Sequence, residues 1–464
     1  MRRDYSTKCL IALNLLGYSL GSRPLFAQDK EPVAEPTEEE VTPEKAEPKT
    51  FPLKKKKKKK AKKPAKWHYE QNYRLLGTGT FSEVNDEKVN PENAVYQLPT
   101  SSYLLEFRPE VVGTFRKSYK FVLRPRAYIQ LDNRDAETAQ YDKQKSTSEA
   151  FVNEAYFAVS PNAEWQYVVG TQNFQWGPAE LASPSNPFFR DLGLEKTYFF
   201  ETRGRAMVRV NYSPSGQLSI IALGEPTDNG ADRPEADEKF HKRALLKIEY
   251  SDQSQTNYLG VTTTATESDR PEFGAYGNYE IATALTTYFD MMNRVGSKTY
   301  YPVISATGAN FEKNLYDDDT RYTTALLGVR YVTERNWDFR LEGFYDQTGW
   351  TQDQREQAVN VLFAQQTAEA VRLYLAPGSF FPGQKFVYAS LRIPDWGWKD
   401  SLTLSLRNFH SLSDNTEKLQ ATLDTFLSDH LVASSGITYS VGPKDGQLTQ
   451  GYLWQAFLSG AWIF

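Results

Sequence analysis

Residues 121–132 read FVLRPRAYIQLD. Alternate positions separate into two unlike faces. Phe121, Leu123, Pro125, Ala127, Ile129 and Leu131 lie on one, and Val122, Arg124, Arg126, Tyr128, Gln130 and Asp132 on the other. A side-chain period of two belongs to a β-strand with one apolar and one polar face. The pattern returns at 202–212, where Gly204, Ala206, Val208, Val210 and Tyr212 oppose Arg203, Arg205, Met207, Arg209 and Asn211. It returns again in 103–116, 243–250, 322–332, 337–346, 385–393, 401–408 and 418–427. From Trp67 onward the chain is strand-like almost throughout.

Alternation alone also fits a soluble sandwich with one wet face. Three features select a membrane barrel instead. The runs are about 9–13 residues long, the span of a tilted strand crossing a bilayer, whereas soluble strands average about five or six. Connections alternate in length. Short ones sit near Lys117-Ser118, 160–162, 213–216, 251–254, 334–336 and Asp429; long ones cover 132–148, 176–201, 225–241, 309–320, 347–383 and 411–416. Tight turns at one end and long loops at the other mark an outer-membrane barrel. Rings also gather near segment ends, at Trp165, Trp176, Tyr212, Tyr250, Trp337, Trp350, Trp396 and Trp398, as interfacial girdles require.

The predicted fold class is therefore all-β, a transmembrane antiparallel β-barrel of about 16–18 strands over residues 67–464. The first strand is expected near 73–81 and the last at 449–464, with 272–289 and 298–309 each counted as one strand. Eighteen leaves both ends on the periplasmic side; sixteen follows if the faint first strand and the long 272–289 are read otherwise. In 352–375 the period changes. Val359, Leu362, Phe363, Gln366, Ala370 and Leu373 recur at helical spacing, which predicts a helix in a long outer loop, with the pore as one place for it.

Composition narrows the class further. The chain has 464 residues, 40% hydrophobic and 14% aromatic, with a mean hydropathy of −0.60. It holds no apolar run long enough for a membrane helix, and its aromatic content excludes wholesale disorder. A single cysteine, Cys9, excludes a disulfide scaffold. The net charge of −4 gives no basic field for nucleic acid.

Residues 1–27 read as a cleaved signal peptide. Arg2, Arg3 and Lys8 precede a mostly apolar stretch, Cys9 to Leu20, and a cleavage point follows Ala27. Residues 28–66 hold no regular element. Eight acids (Asp29, Glu31, Glu35, Glu38, Glu39, Glu40, Glu44, Glu47) among prolines give way to ten lysines between Lys54 and Lys66. Such blocks repel themselves and stay extended, so a disordered periplasmic linker is expected. Its sharper form is a cationic arm, Lys54–Lys66, that contacts peptidoglycan or another anionic polymer.

At the other end Tyr452, Trp454, Ala456, Leu458, Gly460, Trp462 and Phe464 share one face. A terminal aromatic closing such a strand resembles the sorting signal of Gram-negative outer-membrane barrels. A second resemblance lies in 149–159 (EAFVNEAYFAV) and 164–189 (EWQYVVGTQNFQWGPAELASPSNPFF). These segments look like a motif of porin-like outer-membrane barrels, including alginate-exporter-like groups. Tyr156, Gly170, Gln172, Trp176, Gly177, Asn186 and Pro187 hold the matching positions. The resemblance implies passage of solutes across a Gram-negative outer membrane, with membrane lipid and lipopolysaccharide around the barrel. Such barrels occur as monomers and as trimers.

In a barrel the polar face turns inward. The pore-lining candidates are Arg124, Arg126, Arg203, Arg205, Arg209, Arg330, Arg340, Arg392 and Arg407, with Arg108 and Lys247 beside them. Glu106, Glu249 and Glu342 oppose them, with Glu110, Glu154 and Asp424. Cationic rings favour anions. One reading is a basic constriction selecting anionic or carboxylate-bearing solutes; the other is that the arginines pair with the acids and hold a wet interior. The expected function is passive passage of small hydrophilic solutes, anionic ones in its sharper form. The alternatives are an anchoring barrel whose lysine arm holds cell wall or polysaccharide, and a dedicated polysaccharide or lipid transporter. No enzyme, cofactor or metal is expected. His68, His241, His410 and His430 form no zinc set. His410 with Ser411 and Ser405 is the nearest nucleophile arrangement, yet neighbours on a strand face opposite ways and His410 sits at a loop edge. Asp317, Asp318 and Asp319 read as a solvated acidic loop.

Overall fold

The computed structural model describes residues 67–134, 143–189, 192–230, 240–267, 269–306, 308–313, 319–365, 367–397 and 401–464. The signal, the linker, Trp398, Asp317 and Asp318 lie outside these. Eighteen antiparallel strands form one closed sheet. They are β1 (Trp67–Val84), β2 (Ser101–Phe115), β3 (Tyr119–Asn133), β4 (Gln144–Val159), β5 (Trp165–Gln172), β6 (Arg205–Tyr212), β7 (Leu218–Glu225), β8 (Arg243–Ser251), β9 (Tyr258–Thr266), β10 (Glu272–Ala282), β11 (Leu285–Val295), β14 (Arg321–Val332), β15 (Asp338–Asp346), β16 (Lys385–Trp396), β17 (Leu402–Ser411), β18 (Glu417–Ser428), β19 (Leu431–Val441) and β20 (Tyr452–Ile463). Each pairs with its sequence neighbours, and β20 closes on β1 from Arg74 opposite Ile463 to Val84 opposite Tyr452. A small separate hairpin, β12 (Tyr300–Ser305) with β13 (Gly308–Lys313), stands between β11 and β14.

The wall is inside out relative to a soluble protein. On β8, Leu246 is 41% exposed while its neighbour Lys247 is 5% exposed. On β3, Ile129 and Leu131 are exposed while Arg126 and Asp132 are buried. Apolar side chains that face outward all round a closed sheet need hydrocarbon outside them, and closure leaves no unpaired edge. No helix among the described residues is long and apolar enough to cross a membrane; the strands make the crossing. Turns such as 116–118, 213–217, 283–284 and 429–430 are short, while 85–100, 173–204 and 347–384 at the other end are long.

The strand count of eighteen conceals two errors that cancel. The run 272–289 is not one strand but the first half of a hairpin: β10 turns at Thr283-Ala284 and returns as β11. Residues 298–309 are not in the wall; they supply β12 and the start of β13. The first strand, faint in sequence, is the longest at 18 residues. Two of the ring assignments also change. Trp176 and Trp350 are not interfacial: they are 8% and 1% exposed and packed in the interior. At the short-turn end Trp165 stacks on Tyr167 and Tyr212 at 6.0 and 4.4 Å, as a girdle does.

The helical stretch is two helices, α1 (Gln352–Gln365) and α2 (Ala368–Leu375), the second capped by the Thr367 side chain accepting the Ala370 N–H. Ala358, Val361 and Leu362 of α1 pack with Val371, Leu373 and Tyr374 of α2, Val89, Tyr96 and Leu98 of 85–100, Tyr301 and Phe311 of the small hairpin, and Trp350. The connection 85–100 joins β1 to β2, whereas the small hairpin rises between β11 and β14, roughly opposite in the ring. One apolar core therefore bridges the outer mouth as a cap.

Candidate functional site

The candidate site is the lumen, and the connection 173–204 organises it. This segment joins adjacent strands β5 and β6 yet touches the wall on every side. Next to β5, Trp176 Nε1 donates to Ser185 Oγ at 3.2 Å, and Ser183 Oγ donates to the Trp176 carbonyl at 2.9 Å, which folds the segment into a tight loop. Two wall carboxylates hold that loop. Asp290 of β11 accepts from Ser183 Oγ at 2.5 Å and from the Ser185 N–H at 2.6 Å. Glu342 of β15 accepts the N–H groups of Glu180 and Leu181 at 2.7 and 2.8 Å, and the Tyr288 hydroxyl at 2.6 Å. Phe188 and Phe189 pack against Met207, Leu223, Leu245 and Tyr276.

The segment's own acids meet wall cations. Glu180 takes Tyr388 Oη and Ser390 Oγ, each at 3.0 Å, with Arg340 at 3.4 Å and Arg407 at 3.6 Å. Glu201 is bound by Arg126, with Arg108 at 3.5 Å and Arg74 at 3.9 Å. Arg108 also donates to the Phe199 carbonyl at 2.7 Å, and Gln420 donates to the Leu194 carbonyl at 3.0 Å. Irregular backbone at membrane depth is tolerated only where its polar groups find such partners or water.

Two glycines of the quoted motif have steric reasons. At Gly170, φ is +128°, and a Cβ would lie 2.2 Å from the Ala155 carbonyl oxygen on β4. At Gly177, φ is +104°, and a Cβ would meet Ser183 Oγ at 2.2 Å and Asp290 Oδ2 at 2.5 Å. Only a residue without a side chain fits either position.

No protein-family model matches the chain, and no curated protein matches it. Solved structures do. OccAB1 of Acinetobacter baumannii aligns at 9% identity over 86% of this chain and 96% of its own, with a TM-score of 0.52. OprD of Pseudomonas aeruginosa aligns at 12% identity over 85% and 95%, with a TM-score of 0.49. A mutant Rhodopseudomonas blastica porin aligns at 11% identity over 86% and 100%, with a TM-score of 0.38. The chain shares the closed β-barrel fold of OccAB1. At these identities the likeness is one of fold, and the closed ring with its apolar belt agrees with it.

Within this barrel most of the candidate arginines face carboxylates. Arg124 lies 2.5 Å from Glu110 and 2.7 Å from Glu154. Arg126 reaches Glu201 and, at 3.8 Å, Glu106. Arg203 sits 3.3 Å from Glu149 and over the Phe151 ring. Arg205 pairs with Glu225 at 2.9 Å, and Arg330 with Asp338 at 2.9 Å. Arg340 adds Asp338 at 3.2 Å to Glu180, and Arg407 donates to Gln420 at 2.9 Å. Arg209 instead lies over the Phe174 ring at 4.1 Å. Neither Arg209 nor Arg392 makes an ion pair among the described residues. Of the acids, Glu106 pairs with Arg108 at 2.8 Å, and Glu249 with Lys247 at 3.0 Å. Arg108, Arg126, Arg340, Arg407 and Glu342 thus bond to the inward segment, Arg209 lies over its Phe174 ring, and Arg203 belongs to it.

Sequence reasoning missed Asp290, Glu180, Glu201 and the two serines. Segment 173–204 has no period to read. Asp290 fell one residue beyond a run taken as a single strand. His410 and Ser411 make no catalytic pair: His410 Nδ1 lies 3.1 Å from Glu417, and the Ser411 hydroxyl accepts from Gln447. Among the described residues no cluster of metal-ligating side chains occurs.

Proposed function

We propose that the barrel is a passive channel for small hydrophilic solutes, sieved at the inward segment 173–204. The observation that carries this reading is that segment's attachment to the wall by charged groups on all sides. Such anchoring sets a fixed polar constriction inside a barrel, where passage depends on size and charge. Most arginines are neutralised by nearby acids, so the preference for anions is weak and rests on Arg209 and Arg392. Reconstitution in planar bilayers under a salt gradient tests it. A modest anion-selective reversal potential that shrinks in an Arg209→Ser, Arg392→Ser double variant is expected; absence of conductance removes the channel reading, and cation selectivity removes the charge preference.

The cap over the outer mouth favours a second reading, an anchoring barrel whose lysine arm holds cell wall or polysaccharide. Deleting 28–66 separates the two. A channel keeps its conductance without the arm, whereas an anchor loses retention on isolated peptidoglycan.

A further inference from the structure

The outer cap contains an acid that its apolar core does not account for. Glu87, in connection 85–100, is 2% exposed and sits beside Val89 of the cap core. Its Oε1 accepts the Gly451 N–H at 2.6 Å, which ties 85–100 to connection 442–451. Its Oε2 is buried with no protein partner.

Each element packed around Glu87 contributes a polar or charged group. Its own connection supplies Tyr96, with Asp86 and Lys88 at the exposed edge; 442–451 supplies Asp445, Lys444 and Gln450; α1 supplies Arg355, α2 Tyr374 and β18 Lys418. Arg355 is the cation best placed to neutralise Glu87, but it is engaged elsewhere. It donates to the Asp445 carbonyl at 2.9 Å and stands 3.9 Å from Asp414. Glu87 Oε2, Tyr96 Oη and Arg355 Nη1 are all buried without hydrogen-bond partners in the protein, while Tyr374 and Gln450 face each other. Burial pushes the Glu87 carboxyl up to about 8; Asp445 adds to this, and the Gly451 N–H, Arg355 and Lys418 oppose it.

We propose that Glu87 is a proton-dependent latch of the outer cap: protonated, it holds 85–100 against 442–451 and the two helices, and ionised, it releases them. A neutral carboxyl both donates and accepts, so it can serve the unpartnered Tyr96 hydroxyl of its own connection. An ionised one stays buried beside Asp445 with no committed cation, and exposure to water relieves it. The direction follows from linkage. The closed cap binds the proton more tightly than an open one, where the ordinary value of 4.5 applies. Closure is fully favoured below that value. It weakens about tenfold per pH unit and levels off above about 8, a span of roughly three-thousandfold in the closed-to-open ratio.

This inference goes beyond the channel reading and is measured without current. Spin labels at Val95 and Phe363, both exposed, report the distance between connection 85–100 and α1. They are placed in the full chain with Cys9→Ser, purified in detergent, and read by pulsed electron resonance at pH 5 and pH 9. A single short distance at pH 5 and a longer, broader one at pH 9 are expected, with Glu87→Gln short at both. Equal distances at both pH values in the parent overturn the latch. So does a Glu87→Gln variant that moves as the parent does, or one that is open at pH 5. A Glu92→Gln variant, altering an exposed acid of the same connection, keeps the parental response.

Discussion

Asp290 of β11 accepts the backbone N–H of Ser185 at 2.6 Å, from a strand far around the ring from the two that segment 173–204 connects. The bond, repeated by the Ser183 hydroxyl, is one of several that fix the segment to the wall. Asp290→Ala leaves the buried Ser185 N–H unanswered, at about 1–3 kcal/mol, and leaves the Ser183 hydroxyl only the Trp176 carbonyl. The variant should melt at lower temperature in detergent and give a larger, noisier single-channel current. Parental melting and parental current together would show that the bond does not hold the segment.

Glu201 offers one carboxylate to three arginines. Glu201→Gln leaves Arg108 with Glu106 at 2.8 Å and Arg126 with Glu106 at 3.8 Å, but the lumen gains one unit of positive charge. The reversal potential in a potassium chloride gradient should move toward chloride. The shift should fade near 1 M salt, where screening acts over about 3 Å. An unmoved potential at low salt would mean that solutes do not sense this cluster.

The wall was legible in the sequence and its contents were not, for one physical reason. Strand alternation is imposed by two solvents, lipid outside and water inside, so FVLRPRAYIQLD declares its two faces without any partner in view. Where a solvent does not impose a period, the reading failed. Residues 272–289 lack a turn signal because Thr283-Ala284 make a two-residue reversal without glycine, asparagine or proline. Trp176 and Trp350 sit near strand ends like girdle rings, and only the long-range contacts of 173–204 and of the cap reveal that they turn inward. The pairing of Arg126 with Glu201, 75 positions apart, has no local signal.

Gly177→Ala tests the motif by steric demand alone. The added methyl would collide with Ser183 and Asp290 in a backbone conformation that L side chains rarely adopt. The cost should exceed the roughly 1 kcal/mol typical of a strained residue, since the Ser183–Asp290 contact must also open. Gly216→Ala, in a turn with open space around it, is the control and should be neutral. Protease digestion of the folded barrel should cut segment 173–204 in Gly177→Ala and spare it in the control. Equal resistance would show that the glycine is not needed for the fold of this loop.

Phe464 exchanges two backbone hydrogen bonds with Tyr73, at 3.0 and 3.1 Å, and their rings stack at 5.8 Å on the seam between β20 and β1. The bonds belong to the main chain and survive substitution; the ring does not. Phe464→Ala should therefore still close, with the loss limited to about 0.5–1.5 kcal/mol of ring pairing and an interfacial anchor. That loss falls where the last strand must find the first, so it should appear in assembly rate more than in the finished barrel. Folding into lipid vesicles, followed by the heat-modifiable shift on a gel, should show slower appearance of a folded band of unchanged mobility. If Phe464→Ala assembles as fast as the parent, the seam is closed by strand pairing alone.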